Sequence, residues 1–243
     1  MFKILTKRLE DKTEMLISKT QFGFRKGCGT REAIGVMRTL CERSLEHDND
    51  VFICFVDYEK AFDRVDWVKL LGILREIDVD WRDRRLIVNL YMQQRAVVKV
   101  LQEHSEESEF GRGVRQGCCL SPLLFTLYAE AMMIEAMEGV DEGIKVGGKL
   151  LQDVRFADDQ GMVADTENGL QKIMERLSAT AEEYRMKINI KKTKVMRVSK
   201  SGGGRVSIMV EGKEVEQVYK YKYLGSTSSD CVKEVRLKRL PTL

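Results

Sequence analysis

Two prolines, two histidines and two tryptophans in 243 residues rule out several kinds of protein. So little proline, beside an apolar fraction of 43 %, excludes a Pro-rich disordered tract and indicates a folded globular chain. Only His47 and His104 are available as imidazole ligands, and the six cysteines lack C-x-x-C spacing, with Cys118 and Cys119 adjacent. This argues against a zinc site and for reduced thiols in an intracellular compartment. No apolar run approaches the length of a bilayer span, so no membrane association is expected. The N-terminus, MFKILTKRLEDK, turns charged at once and carries no cleavage-site pattern, so no signal peptide is read there. One-sided charge is lacking too: the formal net is +3, too small to mark a nucleic-acid binder.

The distribution of charge says more than its sum. Eight basic residues and no acid fall between Arg185 and Arg205 (Arg185, Lys187, Lys191, Lys192, Lys194, Arg197, Lys200, Arg205). A second basic run holds Lys233, Arg236, Lys238 and Arg239, and an acidic stretch spans Glu103 to Glu109. Such runs are either a solvated face or a groove for a polyanion, since clustered Lys and Arg release counterions from a phosphate backbone.

Strand-like and helix-like patterns alternate without tandem repeats. Val51–Val56 (VFICFV) is an unbroken apolar run, the pattern of a strand buried on both faces. Asp66 is placed to cap a helix carrying Trp67, Leu70, Leu71, Leu74 and Ile77, and a second helix is expected over Trp81–Met92. Ala96–Leu101 reads as a strand. Ser121–Pro122 reads as a helix start, with Ser as N-cap and an apolar face of Leu124, Leu127, Tyr128, Ala131 and Ile134. Leu151–Ala157 and Met162–Ala164 read as a hairpin with Asp158 and Asp159 at its tip. A long amphipathic helix then carries Leu170, Ile173, Met174, Leu177, Ala181 and Tyr184. After the break at Ser201–Gly204, Val206–Val210 and Val215–Leu224 read as one small antiparallel unit. The mixed order predicts an α+β fold, with helices packed on an antiparallel sheet.

Asp57 falls where the buried strand ends, and Asp158 and Asp159 fall at a hairpin tip about a hundred residues later. If the two strands are neighbours, three carboxylates converge. Close carboxylates repel unless cations neutralise them, and oxygen ligands suit Mg²⁺. Two such ions, ~3.5–4 Å apart, clamp the attacking and leaving oxygens of a phosphoryl transfer. Taken singly, each acid reads equally well as a turn or cap residue.

Six segments, read in order, resemble the reverse transcriptases of non-LTR (LINE-type) retrotransposons. QFGFRKGCGT (Gln21–Thr30) resembles the fingers motif and FVDYEKAFDRVDW (Phe55–Trp67) the first palm motif. GVRQGCCLSPLLFTLYAE (Gly113–Glu130) is similar to the palm helix motif, and FADD (Phe156–Asp159) stands in for the Y-x-D-D box. INIKKTK (Ile188–Lys194) and YKYLG (Tyr221–Gly225) resemble the following motif and the primer-contacting hairpin. The resemblance implies a right-hand polymerase palm that copies an RNA template into DNA by adding dNTPs to a DNA primer. It divides the chain into partial fingers (1–50), a palm (51–200), and a primer-grip-like hairpin with the start of a truncated thumb (201–243). It implies Asp57, Asp158 and Asp159 as catalytic ligands of two Mg²⁺ ions, Mn²⁺ being the alternative, with a further contact from the Tyr58 carbonyl.

The same resemblance places Phe62, five residues after Asp57, as a gate against the ribose 2′-hydroxyl. It sets Arg115, Gln116 and Gly117 along the incoming nucleotide, and Lys192 at the phosphates or the departing pyrophosphate. Tyr223, Leu224 and Gly225 would place the primer end, with Lys191 and Lys194 on primer or template. A core aromatic, a groove lysine and an ordinary hairpin turn are the alternatives for Phe62, Lys192 and Tyr223–Gly225. The basic fingers strand usual upstream of Gln21 is missing or shortened, and little remains after YKYLG to build a thumb. Cys119 replaces a common proline, and Gln160 stands where an apolar residue is expected. These departures fit a fragment or truncated copy. An RNA-virus-type polymerase has an Asp where Phe62 stands, which argues against it. The other alternative is a catalytically silent domain that binds RNA or protein. An intracellular location, nuclear by family resemblance or else cytoplasmic, is expected.

Overall fold

The computed structural model describes residues 2–91, 95–97, 99–100, 103–109, 111–202 and 204–229. Helices Phe2–Thr13 (α1) and Thr30–Glu46 (α2) precede the strand Val51–Val56 (β1). One helical turn, Ala61–Arg64 (α3), leads into Trp67–Glu76 (α4), where the Asp66 side chain caps by accepting from Lys69 N at 3.0 Å. Trp81–Tyr91 (α5) follows; Met92, its expected last residue, lies outside the described residues.

Residues 95–109 form two minute antiparallel pairs, Arg95–Ala96 (β2) with Ser108–Glu109 (β5) and Lys99–Val100 (β3) with Glu103–His104 (β4). The strand expected over Ala96–Leu101 is therefore split, with Val98 and Leu101 outside the described residues. Here the acidic stretch folds back on a cation: Arg95 meets Glu107 at 3.1 Å and Glu109 at 3.0 Å.

Ser121–Met137 (α6) differs from expectation at both levels. Leu120 is its N-cap, Ser121 opens the helix, and the Ser121 hydroxyl pairs with the Tyr91 hydroxyl at 3.0 Å. Its first turns are buried on every side, whereas Ile134 is 62 % exposed. A helix that is apolar all round has no single face to read from spacing.

The hairpin Ile144–Val146 (β6) and Lys149–Leu151 (β7) comes next, then Asp153–Phe156 (β8) and Asp159–Ala164 (β9). Glu167–Glu183 (α7) is capped by Thr166 and followed by Lys194–Val198 (β10). The expected C-terminal unit is three separate pieces: a hairpin of Met209–Val210 (β11) and Lys213–Glu214 (β12), an edge strand Glu216–Gln217 (β13), and a hairpin of Lys220–Tyr223 (β14) and Ser226–Ser229 (β15). The pieces serve different faces of the molecule. Val206, Ile208, Val210 and Val215 join the core beneath α6 and α7, while Tyr221 and Tyr223 join the opposite one. The basic run Lys233–Arg239 and the rest of the expected thumb start lie outside the described residues.

The main sheet runs β13-β10-β1-β9-β8, antiparallel except where β13 pairs with β10. Alternation along β1 divides its side chains between two cores. Phe52, Cys54 and Val56 face the α4, α6 and α7 side; Val51, Ile53 and Phe55 face α2 and the tyrosine hairpin. Both faces are covered, which is why VFICFV contains no polar residue. Leu5 and Leu9 of α1 and Met37 and Leu40 of α2 enter these same two cores, so the N-terminal fifty residues are bonded into the sheet's packing. Among the described residues, no helix is long and apolar enough to cross a membrane.

Candidate active site

Val56 of β1 lies opposite Gln160 of β9. One step further along the same ladder, Asp57 leaves β1 as Asp159 enters β9, and adjacent strands lie about 4.8 Å apart. Asp158 sits in the two-residue turn closed by the Phe156–Asp159 pair. Residues a hundred positions apart thus share one ledge at the edge of the sheet.

The other side of Asp57 is fixed by the segment before β10. Asn189 N donates to Asp57 O at 2.7 Å, Glu59 N to Lys187 O at 2.9 Å, and Asp57 N to Thr193 Oγ1 at 3.2 Å. Backbone groups alternate sides along an extended chain, so the Tyr58 carbonyl, between these bonds, faces the β9 side. The Tyr58 hydroxyl donates to Gln160 Oε1 at 3.1 Å, giving the polar Gln160 its place on an otherwise buried strand. A turn at Asn189–Lys192 brings the Lys192 ammonium to 3.9 Å from Asp57 Oδ1.

Asp158 and Asp159 are open to solvent on their outer side, yet both carboxyls are held above the usual range. Burial is the larger cause, and for Asp159 the charges of Asp158 and then Asp57 add to it; for Asp158 the charge of Asp57 does. Asp57 Oδ1 is hidden from solvent and has no hydrogen-bond donor. A carboxylate oxygen hidden without a donor is costly, and the Lys192 ammonium at 3.9 Å meets it at ion-pair distance only, short of a hydrogen bond. The ledge offers only oxygen ligands, the donor set of hard divalent ions, and so suits Mg²⁺ in kind. Among the described residues, however, no three His, Cys, Asp or Glu side chains stand close enough together to hold an ion as placed.

Other residues singled out from the sequence divide into two groups. Phe62 is half-buried, stacked on Phe125 at a centroid distance of 4.4 Å, and its carbonyl accepts from Val114 N at 2.9 Å. That bond docks Arg115, Gln116 and Gly117 beside the first palm motif; all three are exposed, and Gly117 takes φ +81° in the turn closed by Cys118 N and Arg115 O. Lys191 and Lys192 line an open cleft of about 1060 Å³ with Tyr58, Arg64, Arg112 and Lys187. Lys194 turns away from open solvent and pairs with Glu216 at 2.9 Å. Tyr223 is buried, donating its hydroxyl to Val154 O at 3.0 Å, and only Leu224 and Gly225 form the turn of that hairpin.

Four contributors were not singled out from the sequence. Thr193 holds the Asp57 backbone, Gln21 and Arg155 lie beneath the hairpin, and Tyr221 stacks on Phe55 at 4.1 Å. Burial first, then the charges of Asp159 and Asp57, push the Tyr221 hydroxyl upward. Gln21 and Thr193 fall inside segments that carry the family resemblance, and Tyr221, two residues from Tyr223 on a strand, shares that face.

A family model described as "Reverse transcriptase (RNA-dependent DNA polymerase)" matches residues 1–228. Relatives include the "Retrovirus-related Pol polyprotein from type-1 retrotransposable element R2" of Nasonia vitripennis, 27 % identical over 77 % of this chain. Another is the "RNA-directed DNA polymerase from mobile element jockey" of Drosophila melanogaster, 26 % identical over 87 % of this chain. The chain spans 18 % and 23 % of the length of these two relatives. In structure it is similar to the apo telomerase of Candida tropicalis truncated from its C-terminal domain, with a TM-score of 0.67 and 13 % identity, covering 93 % of this chain and 43 % of that one.

Proposed function

Since the chain belongs to the reverse transcriptase (RNA-dependent DNA polymerase) family, we propose that it is a polymerase core that extends a DNA primer 3′-hydroxyl with deoxynucleotides on an RNA template. Its relatives are proteins of non-LTR retrotransposons, and its mixed α+β architecture is the palm-type polymerase fold shared with the telomerase structures. The observation that carries the reading is the β1–β9 ladder, which puts Asp57 beside Asp159 and under the Asp158 turn.

Asp57, Asp158, Asp159 and the Tyr58 carbonyl would hold two Mg²⁺ ions, which supply charge neutralisation for the attacking and leaving oxygens of nucleotidyl transfer. The protein's own part is placement. Thr193 and Asn189 fix the backbone of Asp57, and the tight turn fixes Asp158. The Phe62 ring, stacked on Phe125, would present its flat surface against a ribose 2′-hydroxyl. Gly117, with no atom of another residue within 4 Å of where a Cβ would stand, leaves its backbone open to the incoming nucleotide. Lys192 carries its ammonium beside Asp57, within reach of a triphosphate. Lys191, next to it on the cleft, would meet primer or template.

Asp158→Asn should abolish Mg²⁺-dependent primer extension on an RNA template while leaving the fold intact by circular dichroism. Extension at the natural rate in that variant removes the assignment. A folded natural chain that binds RNA but extends no primer returns the reading to a silent RNA-binding domain.

A further inference from the structure

The turn that carries Asp158 is strained at one residue. Ala157, its first position, has φ +58°, in the left-handed region that side chains rarely adopt. Tight hairpin turns favour glycine or asparagine at such a position, and an alanine persists there only where its surroundings over-determine the backbone.

Two residues of the QFGF segment supply that constraint. Gln21 is fully buried, and its Oε1 accepts from Ala157 N at 3.0 Å and from Gly23 N at 2.8 Å. Gly23 approaches so closely that a Cβ there would stand 2.3 Å from Ala157 N. The backbone locks the segment in place: Arg155 N donates to Thr20 O and Phe22 N to Arg155 O, both at 2.8 Å, setting Gln21 parallel to the edge of β8. Arg25 closes the loop from within, donating to Ser18 O at 2.8 Å and Gln21 O at 3.1 Å.

We propose that Gln21 is a positioning residue for the Asp158–Asp159 turn. Its side-chain oxygen holds the Ala157 N–H, and docking of residues 18–23 on β8 thereby becomes a condition of activity. The part Asp158 plays in the reaction rests on the polymerase reading; the hold on Ala157 does not.

Two variants separate positioning from plain stability. Gln21→Met keeps the length of the side chain and loses the acceptor; Gln21→Glu keeps an acceptor for both N–H groups. Hydrogen exchange of the Ala157 amide in the full chain should be slow, about tenfold faster in Gln21→Met relative to β1 amides, and slow again in Gln21→Glu. In single-turnover extension, Gln21→Met should lower the maximal rate on the order of 100-fold with the deoxynucleotide KM little changed, and Gln21→Glu should recover most of it. Unprotected Ala157 in the natural chain, equal exchange in the natural chain and Gln21→Met, or an unchanged maximal rate would each overturn the role. If the natural chain extends no primer, the polymerase reading fails and the exchange comparison alone decides. If Gln21→Met does not fold, protection of Ala157 in the natural chain and in Gln21→Glu decides instead.

Discussion

Phe62 lies between two other rings, stacked on Phe125 at 4.4 Å and met edge-on by Phe24 at 6.5 Å. The contacts hold its plane, and a gate works only if the gating surface cannot yield. Phe62→Val should therefore relax discrimination between deoxy- and ribonucleotides by on the order of 10- to 200-fold, read from competitive incorporation on one template. Equal discrimination in both proteins would make Phe62 a core aromatic and nothing more. At this scale the sequence placed the three acids at a strand end and around a hairpin turn, because these are local features. It could not identify Gln21, whose partner Ala157 is 136 residues away, or Thr193, which reaches back the same distance to Asp57. Hydrogen bonds between distant segments leave no periodicity to read.

The basic run behaves as an element. Of its eight members, Arg185 meets Asp66 at 3.0 Å, Lys187 meets Glu59 at 3.2 Å, Lys192 meets Asp57 at 3.9 Å, and Arg205 meets Glu214 at 3.4 Å. Lys194 pairs with Glu216 and Arg197 with Asp50, so six carry an acid from elsewhere in the fold. Among the described residues, Lys191 and Lys200 have no carboxylate at ion-pair distance. A run that looks uniformly cationic is mostly neutralised, and its members differ in what they can offer a phosphate. Lys191→Ala with Lys192→Ala should flatten the salt dependence of RNA binding, lowering the slope by about one for each lysine that meets a phosphate, whereas Lys194→Ala should leave it unchanged. A slope lowered equally by Lys194→Ala would show that its pair with Glu216 opens on binding.

Asp50 and Arg197 tie the start of β1 to β10. Burial works against the Asp50 charge, but hydrogen bonds from Ser199 and Arg197 and the charge of Arg197 outweigh it and hold the carboxyl below its ordinary value. Both side chains are partly exposed, so the pair contributes about 0.5–1 kcal/mol at most. A depressed carboxyl stabilises the fold above its unfolded pKa, and that contribution disappears as pH falls through the folded one. Asp50→Asn should thus lower denaturant stability at pH 7, and the difference from the natural chain should shrink as pH falls below about 4 and through the folded pKa.

On the scale of the whole molecule, the feature with the largest energetic stake is the buried Arg155, 1 % exposed beneath the Asp158 hairpin. Its guanidinium lies 3.2 Å from Glu130 of α6 and 3.2 Å from Asp153 of β8, and Glu130 also accepts from Ser18 N at 3.1 Å. One cluster joins the N-terminal segment, the long helix and the edge of the sheet. Arg155→Met should cost about 3–5 kcal/mol in equilibrium unfolding, because it strands the buried carboxylates of Glu130 and Asp153. A loss below about 1 kcal/mol would mean that the cluster is wet and behaves as a surface ion pair.

The sequence alone determined the α+β class, the double-sided burial of β1, the long amphipathic α7, the positions of the acids and the family resemblance. Each rests on periodicity, on turn chemistry or on an ordered set of short motifs, and these are properties of neighbouring residues. Only the tertiary structure decided that the basic run is mostly paired, that Tyr223 anchors in the core, that α6 has no single buried face, and that Gln21 underlies the Asp158 turn. Those outcomes depend on which distant groups meet. Burial and charge pairing are settled between segments, after the chain has chosen how its strands lie side by side.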